Sequence, residues 1–117
     1  MREKRQLERK HLLFFLRVFD TAKNELAGYL TDLNTGGFLL ICEKHLEIGS
    51  VYSMKMTSPE AMEEKWQMNF SAECLWYKPD VNPDYHRYGF RFASIDPVSL
   101  EIINYLIKHF GFSRQEH

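Results

Sequence analysis

Between Gln67 and Trp76 the chain reads with period two. Met68, Phe70, Ala72, Cys74 and Trp76 fall on one side, and Gln67, Asn69, Ser71 and Glu73 on the other. Successive side chains of an extended strand point to opposite faces, so this pattern demands a sheet with one dry face and one wet face. Val51 to Thr57 repeats it, with Tyr52, Met54 and Met56 opposed to Ser53, Lys55 and Thr57. Tyr85 to Ala93 repeats it again, with Tyr88, Phe90 and Phe92 opposed to Arg87, Gly89 and Arg91. One-sided strands are stable only when they share a core.

Three more strands precede these. Leu12 to Phe19 is dense in Leu, Phe and Val, broken only by Arg17, and reads as a strand covered on both faces. Leu26 to Thr31 and Phe38 to Cys42 flank Asp32-Leu33-Asn34-Thr35-Gly36-Gly37, a hairpin turn built from residues that bond nearby backbone or tolerate unusual φ. Leu46 to Gly49 is a connection ending in a glycine break, Ser58 to Lys65 is a polar, acidic loop or single helical turn, and Lys78 to Asp84, with two prolines, is a loop. The period changes at the end. Asp96 suits an N-cap, Pro97 the first helical position, and Gly111 a stop. Leu100, Ile103, Ile107 and Phe110 form the apolar stripe, widened by Ile102 and Leu106.

Six strands joined by short loops, with no helical crossover, must pair antiparallel, and they close best into a small barrel. The predicted fold is all-β: a six-stranded antiparallel barrel whose open end or flank is covered by one C-terminal helix. The predicted organisation is a basic arm over residues 1–11, a barrel with its helix over 12–112, and a tail over 113–117. The 117 residues suit a single domain. The first strand, apolar on both faces, would suit a homodimer.

Net charge is −1, so no overall field draws in a long polyanion, and a nucleic-acid partner is unexpected. The charge is uneven, however. Arg2, Lys4, Arg5, Arg9 and Lys10 outnumber Glu3 and Glu8 in the first ten residues, a balance suited to a small anion. Cys42 and Cys74 both sit in apolar runs and read as buried free thiols of a cytoplasmic protein. No apolar run is long enough to predict membrane insertion. The histidines, serines and acidic residues fall in no metal-binding, nucleophile-elbow or phosphate-loop spacing, so neither a metal, a cofactor nor a catalytic step is expected. The chain reads as a binding module.

What remains is Arg5-x-x-x-Arg9 with Asp32-x-Asn34-x-x-Gly37. A guanidinium offers paired donors to a phosphate or to the O6/N7 edge of guanine. Asp32 can accept from guanine N1–H and N2–H. Asn34 either contacts the base or holds the loop, and Gly37 lets backbone approach a flat base. Lys4, Lys10 and Gly36 are secondary candidates. Trp76 offers a stacking surface, but its place on the inward face assigns it to the core. Arg87 and Arg91 could meet phosphates; solvated strand-face charges are the plainer reading.

These residues resemble the PilZ domain, the bacterial receptor module for cyclic di-GMP. Arg5-Gln6-Leu7-Glu8-Arg9 is similar to that family's R-x-x-x-R arm, and Asp32-Leu33-Asn34-Thr35-Gly36-Gly37 to its [D/N]-x-[S/A]-x-x-G turn. Cys74-Leu75-Trp76 and Tyr88-Gly89-Phe90-Arg91-Phe92 resemble its late strands. The likeness runs from residue 5 to about 110. It implies that Arg5 and Arg9 grip guanine and phosphates over the barrel while Asp32 reads the base. It also implies that Lys4 influences whether one ligand binds or a stacked pair, and that ligand changes the surface offered to a partner protein. One departure is Asn34, where the family carries Ser or Ala. It leaves open a degenerate adaptor that binds only protein.

Overall fold

The structure is a computed structural model and describes residues 16–60 and 62–110. The strands are β1 (Arg17–Asp20), β2 (Glu25–Leu33), β3 (Gly37–Cys42), β4 (Val51–Thr57), β5 (Gln67–Pro79) and β6 (His86–Ile95), and a single helix, α1 (Pro97–Phe110), follows. They close in the order β1-β2-β3-β6-β5-β4. Every neighbouring pair is antiparallel. The six-stranded barrel with a C-terminal helix is therefore as the alternation requires.

The inward residues of all six strands meet in one core. Val18, Leu30, Leu40, Met54, Met56, Met68 and Cys74 are essentially inaccessible. Phe38 lies parallel to Phe90 with ring centroids 4.9 Å apart and edge-on to Phe70 at 5.7 Å. Cys42 and Cys74 are both buried free thiols, and the Cys42 thiol donates to the Lys44 carbonyl at 3.3 Å. Burial pushes the Cys74 thiol up to about 11 and raises Cys42 as well, so both stay protonated and act as small hydrophobes.

Several boundaries differ from the expectation. Of the stretch 12–19, residues 12–15 lie outside the described ones, as do the arm, Gly111 and the tail. Within β1 the burial alternates, Arg17 exposed and Val18 buried, so this part is not covered on both faces. Asp32 and Leu33 belong to β2 rather than to the turn, and β5 runs on through Lys78 and Pro79, which pair with Arg87 and His86.

The helix begins as its cap dictates: the Ser99 amide donates to the Asp96 carboxylate at 2.7 Å, and the Leu100 amide to the Asp96 carbonyl at 3.0 Å. Its buried seam is rotated from the expected stripe. Ser99, Ile103 and Leu106 are buried, whereas Leu100 is 37% exposed; the side chain of Phe110 lies outside the described ones. The helix lies against β5. Asp96→Ala should cost about 1 kcal/mol of stability, the usual value of an N-cap carboxylate. Denaturant unfolding of the variant checks this; an unchanged midpoint would assign helix stability to Ile103 and Leu106 burial alone.

Candidate functional site

Strict alternation would bury Asp32, because Leu30 points into the core and Asp32 is two residues on. It does not happen. The β2–β3 register skips a residue: Leu30 pairs with Leu40, but Asp32 pairs with Leu39, leaving Thr31 as a β-bulge. The bulge reverses the phase of the strand, so Asp32 emerges half-buried on the outer face while Leu33 returns to the core.

The same device operates across the sheet. Cys74 pairs with Phe90, but Trp76 pairs with Gly89, which leaves Leu75 as a second bulge. Trp76 is therefore turned out of the barrel and is 41% exposed, which corrects its assignment to the core. Gly89 explains where the indole goes. A Cβ on Gly89 would stand 2.6 Å from Trp76 Cζ2, so the ring lies directly on the bare backbone of β6. A run of three bulky residues, Leu75-Trp76-Tyr77, breaks the alternation and is the sign in the sequence that the phase changes there.

The pairings place these residues in one row across four neighbouring strands: Asp32, Leu39, Gly89, Trp76. At strand spacings of about 4.8 Å, the path from Asp32 to Trp76 along the curved sheet is roughly 14 Å. Half-buried Leu39 and side-chain-free Gly89 form the floor between them. The adjoining outer row is Gly37, Arg91 and Glu73, and the Arg91 guanidinium is ion-paired with the Glu73 carboxylate. Gly37 and Arg91, with Asp32, Leu39, Gly89 and Trp76, border an open cleft of about 750 Å³, within the usual range for small-molecule sites.

The β2–β3 turn closes one side of the cleft. The Asn34 side-chain oxygen accepts from the amides of Gly36 at 2.8 Å and Gly37 at 2.9 Å, and the Asn34 amide donates to the Gly37 carbonyl at 2.9 Å. The Phe92 amide donates to the Gly36 carbonyl, tying the turn to β6. Asn34 thus holds the loop. Gly37 is buried and serves a packing need: a Cβ there would overlap the Phe90 carbonyl oxygen. Gly36 is exposed and lines the same cleft.

The structure brings Asp32, Asn34, Gly36, Gly37 and Trp76 to one site and adds Leu75, Gly89 and Arg91. Arg87 is elsewhere. It is bound to Asp80 at 2.8 Å at the far end of the β5–β6 ribbon, and the Asp80 carboxyl is held below the usual range first by that guanidinium and then by the Asn82 amide. Lys4, Arg5, Arg9 and Lys10 lie outside the described residues. Among the described residues, no group of three His, Cys, Asp or Glu side chains could hold a metal ion, and no helix is long and apolar enough to cross a membrane.

A family model, "PilZ domain", matches residues 3–109. No curated protein sequence matches the chain. Three solved structures share the fold. The Bacillus subtilis inhibitor of motility MotI/DgrA is 14% identical with a TM-score of 0.64; the match covers 80% of this chain and 44% of that one. The PilZ domain of YcgR from Escherichia coli, solved with c-di-GMP, is 18% identical with a TM-score of 0.57, covering 86% of this chain and 84% of that one. The Borreliella burgdorferi PlzA protein, in complex with c-di-GMP, is 12% identical with a TM-score of 0.56, covering 90% and 47%. The chain thus spans less than half the length of MotI/DgrA and of PlzA, and most of the YcgR domain.

Proposed function

Because the chain belongs to the PilZ domain family, we propose that it is a receptor for cyclic di-GMP, with no catalytic step of its own. The observation that carries this reading is the pair of bulges at Thr31 and Leu75. Each turns out a residue that regular alternation would bury, and the two residues so exposed, Asp32 and Trp76, stand on one row of one cleft. Their chemistry is complementary toward guanine: a carboxylate accepts from N1–H and N2–H, and an indole offers a flat apolar face to a base.

The YcgR domain and PlzA were each solved with this nucleotide, which supports the choice of ligand. Asn34 is compatible with it. Its side-chain oxygen is spent on the turn, as a hydroxyl at that place could also be, and its bulk sits within the loop. The described lining of the cleft carries only Asp32 and the Glu73-paired Arg91 as charged groups. A ligand with two phosphates therefore needs cations from elsewhere, and Arg5 and Arg9, flanked by Lys4 and Lys10, are the proposed source. Docking of that basic arm would change the surface shown to a partner protein.

Titration calorimetry of the 117-residue protein with cyclic di-GMP, GTP and cyclic di-AMP is the test. Saturable heat with cyclic di-GMP alone is expected, and Lys4 favours two nucleotides per chain. Equal response to all three would overturn the reading in favour of an unselective nucleotide site, and response to none would overturn it and leave the protein-only adaptor.

A further inference from the structure

The arm proposed above need not be the cleft's only source of positive charge. Arg91 stands on β6 two residues from Gly89, so its side chain leaves the same outer face on which the Trp76 indole rests. Arg91 lines the cleft, and its side chain is 62% exposed. The Glu73 carboxylate that pairs with it sits directly opposite on β5 and is more enclosed, at 28% exposed. Arg91 and Asp32 are the charged residues lining the described cleft, one at each edge of the turn that closes it.

Such a pair is poor at holding itself together. Water screens both partners, and a cross-strand ion pair on an open face contributes little. A phosphate offers the same fork-shaped guanidinium a better acceptor, with more charge and more lone pairs. The contrast with Arg87 is direct: that guanidinium is bound to Asp80, which also accepts the Asn82 amide and belongs to a loop away from the cleft.

We propose that Arg91 is a further ligand-binding cation of this cleft, held by Glu73 until the phosphate of a cyclic dinucleotide displaces the carboxylate. This role rests on the receptor reading given above. Glu73 then sets the affinity from the opposite direction, by competing for the guanidinium and by repelling the ligand's charge.

The experiment is a double-mutant cycle read by calorimetry with cyclic di-GMP at low and high salt, with thermal unfolding of each protein alongside. Arg91→Gln should weaken binding by about tenfold or more and flatten its salt dependence. Glu73→Gln should tighten binding by about threefold to tenfold, because it frees the cation and removes a like charge. The double variant should bind more weakly than Glu73→Gln alone. If the double variant equals Glu73→Gln, Arg91 merely neutralises Glu73 and the proposal fails. It fails equally if wild type binds and Arg91→Gln binds as well at both salt concentrations. Absence of binding by wild type would instead bring down the receptor reading, and this role with it.

Discussion

Gly37→Ala is expected to destabilise the barrel by about 3 kcal/mol, the upper part of the usual range for forcing an extra carbon into a packed interior. The added Cβ would overlap the Phe90 carbonyl oxygen, and it would also lie 3.0 Å from the Phe90 carbonyl carbon and 3.1 Å from Arg91 Cα. All three are backbone atoms of β6, so no side-chain rotation relieves the contact. Either β3 moves away from β6, breaking the Gly37–Arg91 pairing, or the β2–β3 turn opens. Both movements strike the turn that Asn34 closes, so nucleotide binding should be lost with stability.

Gly36→Ala is the built-in comparison. A Cβ at Gly36 would meet only the Asn34 side-chain oxygen, at 3.5 Å, an ordinary contact. That variant should unfold within about 0.5 kcal/mol of wild type, as exposed substitutions generally do. Urea unfolding of the two variants beside wild type decides the matter. Equal midpoints for both would mean that β3 and β6 are free to separate at this point, and that the close packing of Gly37 has no energetic weight.

Most of the architecture was legible because it depends on simple periods. Val51–Thr57 matches the observed β4, and the cap Asp96-Pro97 starts the helix where expected. Asp32, Asn34, Gly36 and Gly37, which share the cleft, stand out in the sequence, but their arrangement does not. A bulge is a single extra residue, and it leaves no mark in the average hydropathy of a strand. Counting on from Met68, Phe70, Ala72 and Cys74 therefore puts Trp76 in the core, whereas the extra residue at Leu75 reverses the count. The converse clue was available at Asp32. A carboxylate two places after an inward Leu30 would be buried without a partner, and a chain avoids that cost by changing phase. Gly89 could not be understood from the sequence at all, because its reason lies in a residue on another strand: it is the seat of the Trp76 indole. At Gly37 the missing side chain suggests an opening for ligand, whereas its neighbour across the sheet is what excludes a side chain.

Arg5→Ala and Arg9→Ala should each weaken cyclic di-GMP binding by about 2–5 kcal/mol, the range for truncating one partner of a charge-paired contact. The argument is one of charge balance. The cleft's described lining offers one guanidinium, and that one is already engaged by Glu73, while Asp32 adds a negative charge of its own. A ligand with two phosphates finds no second cation in this described lining. The counter-charge must come from another part of the chain, and the densest run of basic residues is Lys4-Arg5 and Arg9-Lys10. The family match extends to residue 3 and so takes in both arginines. Replacing either by lysine should recover only part of the loss, because an ammonium supplies charge without the paired donors that a phosphate or guanine edge accepts. Stability should be unchanged in all four variants if the arginines act on ligand alone. Calorimetry at fixed ionic strength is the measurement. Wild-type affinity in either alanine variant would remove that arginine from the site. Full recovery by lysine would reduce its part to unspecific attraction.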